Sequence, residues 1–170
     1  MSRSENMSAI TRRLSYTALT MLVSWLFLIA TIKAISPEPD YSQTLPEECG
    51  GESLNCAGFG KWGHRTDEAG AIVFEGSMGD ARDSVREWVS ERDRSKIVYS
   101  DNDTFHVVET TLLLRFEDDL VVHIECLEGL TIIHGYSSSR IGISDLGVNP
   151  KRLDSLMTHL DGYENSSNQC

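Results

Sequence analysis

Five charged side chains and one imidazole lie close enough in the second half of the chain to suggest chemistry: Asp118, Asp119, His123, Arg140, Asp145 and Arg152. His123 and Glu125 are two residues apart, so on a strand they share a face. With Asp118 nearby they could form a general base with an orienting acid. A solvated sheet face explains the same spacing. Asp118 and Asp119 are adjacent, so on a strand their side chains leave opposite faces and cannot act as one carboxylate pair. Two roles are open to them. One is to meet Arg140 or Arg152 across the end of a sheet, or to hold a hard cation. The plainer one is a hairpin turn in which they cap backbone N–H groups.

Arg140 and Asp145 flank Gly142 in the segment 137–152. An arginine–carboxylate pair there would fix the shape of the loop. The same Arg140 could instead bind a carboxylate or phosphate ligand at the open N-terminus of a helix over 150–161, with Ser137, Ser138, Ser139 and Ser144 as further donors. Ile141, Ile143, Leu146 and Val148 interrupt the polar residues, so the loop is expected to be pinned against the body. A hydrolase elbow of the Gly-x-Ser-x-Gly type, a phosphate-cradling glycine loop and a metalloprotease motif are all absent from the sequence. Cys49, Cys56 and His64 are one ligand short of a zinc site and irregularly spaced. No metal or cofactor is expected.

The elements that must position these residues follow from periodicity. Ala81, Val85, Trp88 and Val89 fall on one face of an amphipathic helix. Residues 96–100 read as a strand with its turn at 101–103. Residues 104–116 alternate, with Val108, Thr110, Leu112, Leu114 and Phe116 on one face. Residues 120–126 alternate again, with Leu120, Val122, Ile124 and Cys126 inward. Glu128-Gly129 makes a hairpin turn to a strand over 130–136. Asn149 reads as the cap of a last helix with Pro150 at its first position and Gly162 as its stop. The expected fold is a two-layer α+β domain over 70–162. An antiparallel sheet of three to four strands is covered by two amphipathic helices and preceded by an N-terminal transmembrane helix. Residues 36–69 read as a linker and cysteine-containing arm, Ala71–Phe74 as a strand or a tack for that arm, and 163–170 as a disordered tail.

Leu14–Ile32 is free of charge and mostly apolar, which suits a bilayer-spanning helix and is long for a signal peptide. The anchor is taken as 14–35. Arg3, Arg12 and Arg13 precede it, so residues 1–13 are expected in the cytoplasm and the remainder on the extracytoplasmic side, with the membrane contacted through 14–32. The first 35 residues carry four of the 15 Lys and Arg and one of the 26 Asp and Glu, so the remaining 11 basic and 25 acidic residues give the rest a net charge of −14. Such acidity argues against a nucleic-acid partner. All four cysteines lie on the exported side, where disulfides are permitted. Cys49–Cys56 is the expected pair, Cys126 reads as a buried thiol, and Cys170 lies at a frayed end.

Three blocks carry a resemblance: the arm Cys49…Asn55-Cys56, the run Arg115-Phe116-Glu117-Asp118-Asp119, and the segment from Ser137-Ser138-Ser139-Arg140 through Ser144-Asp145-Leu146-Gly147 to Asn149-Pro150-Lys151-Arg152. Over roughly residues 48–160 the chain resembles the domain of unknown function 1499 family. Family members commonly show Cys-Pro-x-Ser-Pro-Asn-Cys, Phe-x-Asp-Asp, and Arg-Ser-x-Ser-Arg-x-Gly-x-Ser-Asp-Leu-Gly-x-Asn-Arg-x-Arg at these places. Here the arm lacks both prolines and is one residue longer, and Tyr136 and Pro150 replace two arginines. Those replacements weaken any shared anion-binding role. The resemblance implies an exported or membrane-attached protein of unassigned biochemistry and supplies no reaction.

Two functions compete. The first is a non-catalytic binding or interaction module, held at the membrane, with the 137–152 loop contacting a protein or a small anionic ligand. The second is a small hydrolase-type enzyme using Asp118 or Asp119, His123 and Arg140. Convergence of those groups in one pocket would favour the enzyme. Burial of Arg140 against Asp145 or Asp119, with no cavity beside it, would remove the enzyme reading.

Overall fold

Phe105 and Val107, then Leu120, Val122 and Ile124, then Ile133 recur at alternate positions of neighbouring segments, and all are buried. Alternation of this kind turns one face of a sheet toward a core. In a computed structural model, which describes residues 3–42, 45–49, 52–66, 70–163 and 170, that face is covered by two helices. The elements run α1 (Arg3–Ile35), β1 (Cys56–Phe59), a 3-10 turn (Gly60–Trp62), β2 (Ile72–Phe74), α2 (Met78–Ser90), β3 (Ser95–Ser100), β4 (Thr104–Thr110), β5 (Glu117–Leu127), β6 (Leu130–Ser139) and α3 (Val148–Asp161). The fold is α+β. The sheet is antiparallel in the order β1-β6-β5-β4-β3, and β2 shares the outer edge of β6 with β1.

Six strands form where three to four were expected. β1 hides in the arm because Cys-Ala-Gly-Phe carries no β-branched residue, and β2 is only three residues long. Gly58 is required in β1, since a Cβ there would meet Trp62 O at 2.3 Å. Gly135 in β6 makes room for the ring of Phe59, which is fully buried.

α2 starts at a capping box, with Ser77 Oγ accepting from the Asp80 N–H and Asp80 accepting from the Ser77 N–H. α3 starts differently from expectation. Its cap position is Gly147, in the left-handed conformation with φ +79°, and Asp145 accepts from the Gly147 N–H at 2.8 Å. Asn149 lies inside the first turn, buried, and is not the cap.

β4 is shorter than the alternation over 104–116 suggests: it stops at Thr110, with Phe105 and Val107 in the core and Glu109 on the same face. Leu112, Leu114 and Phe116 belong to the connecting hairpin, where Arg115 turns the chain at φ +57°. Asp118 and Asp119 therefore sit inside β5 and do not form the turn.

The second face of the sheet is covered by the arm. Trp62 is buried against Tyr136 with ring centroids 5.9 Å apart, and its Nε1 donates to Pro46 O at 3.0 Å. Tyr41 sets its ring edge-on to His106 at 4.8 Å. Cys49 and Cys56 are disulfide-bonded, as expected. Cys126 is exposed and bonded to Cys170, in place of the expected buried thiol, because β5 outruns the helical layer at this end. Of the tail 163–170 expected to be disordered, 164–169 lie outside the described residues, whereas Tyr163 packs on the core beside Phe74 and Cys170 is tied down by its disulfide.

Gly135→Ala tests the packing of β1 on β6. A methyl group placed 2.2 Å from Phe59 Cε1 should destabilise the fold by about 1–3 kcal/mol, read as a lower midpoint in urea unfolding.

Candidate functional site

The pleat of β5 sends Asp118 to the helix side and Asp119 to the arm side, and each side chain is almost fully buried. A buried carboxylate needs a partner. Each finds its own arginine. On the helix side, Arg152 of α3 donates from Nη2 to Asp118 Oδ2 at 2.7 Å and from Nη1 to Ser137 Oγ at 2.8 Å and to Asn149 Oδ1. Its Nε faces Glu109 Oε2 at 3.4 Å, and Glu109 in turn accepts from Arg92 Nη2 at 2.7 Å. Burial alone would raise the Glu109 pKa, but Arg152 and Arg92 outweigh it and hold the group below the usual carboxylate range. Asn149 Nδ2 donates to Asn55 O at 3.0 Å, which ties α3 to the segment entering β1.

On the arm side, Arg140 grips Asp119 with two parallel bonds, from Nε to Oδ2 and from Nη2 to Oδ1, both at 2.9 Å. Its Nη1 donates to Glu117 Oε2 at 2.6 Å. His106 Nε2 lies 2.6 Å from Asp119 Oδ1 and donates to it, since an ionised carboxylate only accepts. Burial would raise the Asp119 pKa, but the bonds from His106 and Arg140 prevail and keep it below its ordinary value. Tyr41, above His106, has its pKa pushed up to about 12 by burial and by the nearby Tyr136 and Asp119. It is neutral at physiological pH and is no phenolate base.

Asp145 pairs with Arg65 and not with Arg140. Arg65 Nη2 and Nη1 reach its two oxygens at 2.9 and 3.2 Å, and Nη1 also donates to Cys56 O at 3.0 Å. Burial would raise the Asp145 pKa, but Arg65 and the Gly147 N–H hold it low. The carboxylate thus occupies the α3 N-terminus where an external anion was considered.

The expected His123–Glu125 pair also re-sorts. Glu125 accepts from His134 Nε2 at 3.0 Å, with the His134 tautomer set by the Lys61 N–H donating to Nδ1 at 3.0 Å. His123 Nδ1 instead meets Thr104 Oγ1 at 3.1 Å. Its pKa is lowered, first by burial and then by Lys61. His123 stands four residues along β5 from Asp119, a rise of about 13 Å. The structure therefore brings Asp119 to Arg140 and Asp118 to Arg152, and leaves His123 apart from both. A partly open cleft of about 560 Å³ lies beside His106 and Arg140, bordered also by Glu38, Asp40, Arg94 and Lys96. Among the described residues, no cluster of His, Cys, Asp and Glu has the makings of a metal site.

A family model described as protein of unknown function DUF1499 matches residues 38–160. The chain belongs to the DUF1499 family. A search of curated proteins finds no match. The DUF1499 match takes in both arginine clamps, the Arg65–Asp145 pair and the arm from Glu38 onward, and leaves α1 outside.

Sequence reading missed His106, Glu109, Glu117, Arg65 and His134. Parity could have found two of them: Glu109 shares the face of Phe105 and Val107, and His106 must then share the other with Asp119. Arg65 gave no signal, because it comes from irregular chain.

Two measurements test the clamps. Arg152→Met leaves Asp118 buried without its partner and should cost about 3–5 kcal/mol in chemical unfolding, while adding Asp118→Leu should recover much of that loss. An equally unstable double variant would refute the pairing. Asp119 ionises more readily in the fold than in the free chain, so its charge stabilises the fold above pH 3.8 and that contribution is lost as pH falls through the lowered folded value. Asp119→Asn should be less stable than wild type at pH 7, and its melting temperature should fall less steeply on acidification below pH 3.8. Parallel acid profiles for the two proteins would contradict this.

Proposed function

We propose that the chain is a membrane-held, non-catalytic interaction module whose contact surface is the 137–152 loop. α1 contains a stretch, Ile10–Ile35, long and apolar enough to cross a membrane, with a mean hydropathy of 2.0. Arg3, Arg12 and Arg13, ahead of its charge-free part from Leu14 to Ile32, favour a cytoplasmic N-terminus and an extracytoplasmic domain.

The observation that carries the reading is a contrast within one loop. Asp145 is fully buried against Arg65, and Asn149 is fully buried against Asn55, so the loop is fastened at its base. Leu146, between these points, is 89 % exposed and Ile143, two residues before Asp145, is 93 % exposed, so the loop is pinned by its polar residues and not, as expected, by its apolar ones. A stiff loop that keeps two apolar side chains in solvent loses little entropy when a partner covers them. The partner class favoured is an apolar surface. A small anion is disfavoured, because Arg140, Arg152 and the α3 N-terminus already hold Asp119, Asp118 and Asp145. The hydrolase alternative finds no support in the separation of His123 from Arg140.

A photo-crosslinking residue at Ile143, in the full chain within native membranes, tests the surface. A discrete adduct is expected, and adding Leu146→Asp should abolish it without moving the melting temperature. Absence of an adduct, or one indifferent to Leu146→Asp, would remove the loop from consideration.

A further inference from the structure

Three side chains of α1 turn toward the domain: Trp25, Ile29 and Ile32, spaced i, i+4 and i+7 on one stripe. Ile32 is buried and Ile29 half-buried, while the remaining described side chains of the helix as far as Ile35 are exposed. Opposite this stripe stands the hairpin joining β4 to β5. Trp25 Nε1 donates to Leu113 O at 3.1 Å. Trp25 lies inside the apolar stretch Ile10–Ile35, eight residues before Lys33. At 1.5 Å per residue, that places the contact about 12 Å along the helix from the last charge, well within a half-bilayer of about 15 Å.

The hairpin is suited to that depth. Residues 110–114 carry no charge, and Leu112 and Leu113 are 68 % and 69 % exposed. At the base of the hairpin the Thr111 N–H donates to Phe116 O and the Phe116 N–H donates to Thr111 Oγ1, both at 2.9 Å. The N–H groups of Leu112 to Arg115 find no partner among the described residues and keep the turn within reach of interfacial water. The Leu113 carbonyl and the Trp25 indole satisfy each other. Arg115 is exposed behind the tip, and its long stem allows the guanidinium to reach the headgroups.

We infer that the tip of the β4–β5 hairpin, Leu112 and Leu113, is inserted into the acyl region of the leaflet on the domain's side, docked on α1 through Trp25. The inference rests on the reading of α1 as a membrane span. The occupant of this apolar tip is lipid, since the helix that flanks it is itself lipid-exposed on its other faces. The 140–147 loop leaves the sheet at the same end, because Asp118 pairs with Ser139 across β5 and β6. Its exposed Ile143 and Leu146 therefore stand beside the bilayer.

The test uses the full chain in phosphatidylcholine vesicles with one added cysteine, all four native cysteines being disulfide-bonded. An environment-sensitive fluorophore is placed at Leu113→Cys or, at the opposite end of the sheet, at Asn102→Cys. At position 113 we expect blue-shifted emission, quenching by lipids labelled on the acyl chain, and a several-fold weaker response to aqueous iodide than at position 102. Equal iodide quenching at both sites, in chains that float with the vesicles, would overturn the insertion and leave the span intact. Failure to float would overturn both. Shielding of position 113 from iodide and lipid quencher alike, as a protein contact would give, would also overturn it.

Discussion

Two adjacent carboxylates on a pleated strand must point to opposite sides of the sheet, and in β5 both sides are buried. Asp118 and Asp119 therefore need two separate cations, delivered from two separate directions. Arg152 comes down from α3 and Arg140 comes around from the end of β6. Because both counter-ions belong to the same short stretch of chain, satisfying β5 fixes where β6 must end, how the loop must run and where α3 must land. Ser137, Asn149 and Asn55 complete the arrangement by using the polar capacity left over on the helix side. A partner missing from either face would leave a charge in a low-dielectric interior, which is far costlier than an imperfect surface contact.

The same economy explains why this polar cluster makes a poor ligand site. Arg140 spends three nitrogens on Asp119 and Glu117, and Arg152 spends its own on Asp118, Ser137 and Asn149. The α3 N-terminus is filled by the protein's own Asp145. What the interior consumes in charge, the exterior presents in apolar side chains at the same end of the sheet, at Leu112, Leu113, Ile143 and Leu146. The polar residues act as the frame, and the exposed apolar residues are available for contact.

Much of this was legible in the sequence, and the gaps have physical causes. The helices and long strands followed from apolar periodicity, and the opposed directions of Asp118 and Asp119 followed from the pleat alone. The length of β4 was misjudged because Leu112, Leu114 and Phe116 imitate a strand while lying in the connecting hairpin. β1 went unseen because a strand of Cys-Ala-Gly-Phe is chosen by what fits beneath Trp62 and not by propensity. The partners of the candidate residues were the least legible, since His106, Arg65 and Glu109 come from distant segments and only register decides who faces whom. Sequence placed Arg140 beside Asp145 because they are near neighbours. The fold gave each of them a partner from another element, as long-range pairing commonly does.

The arm between α1 and β1 has a consequence for how the domain meets its surroundings. An unfastened linker of some 20 residues would let its cargo roam roughly 25 Å from the point of exit. This one is held by Tyr41 on His106, by Pro46 on Trp62, and by the Cys49–Cys56 bond just before the sheet begins. The domain is thus no head on a swinging stalk. Its reach is set by its own radius and not by the length of the chain that joins it to α1, so the surfaces it presents keep a fixed relation to that helix.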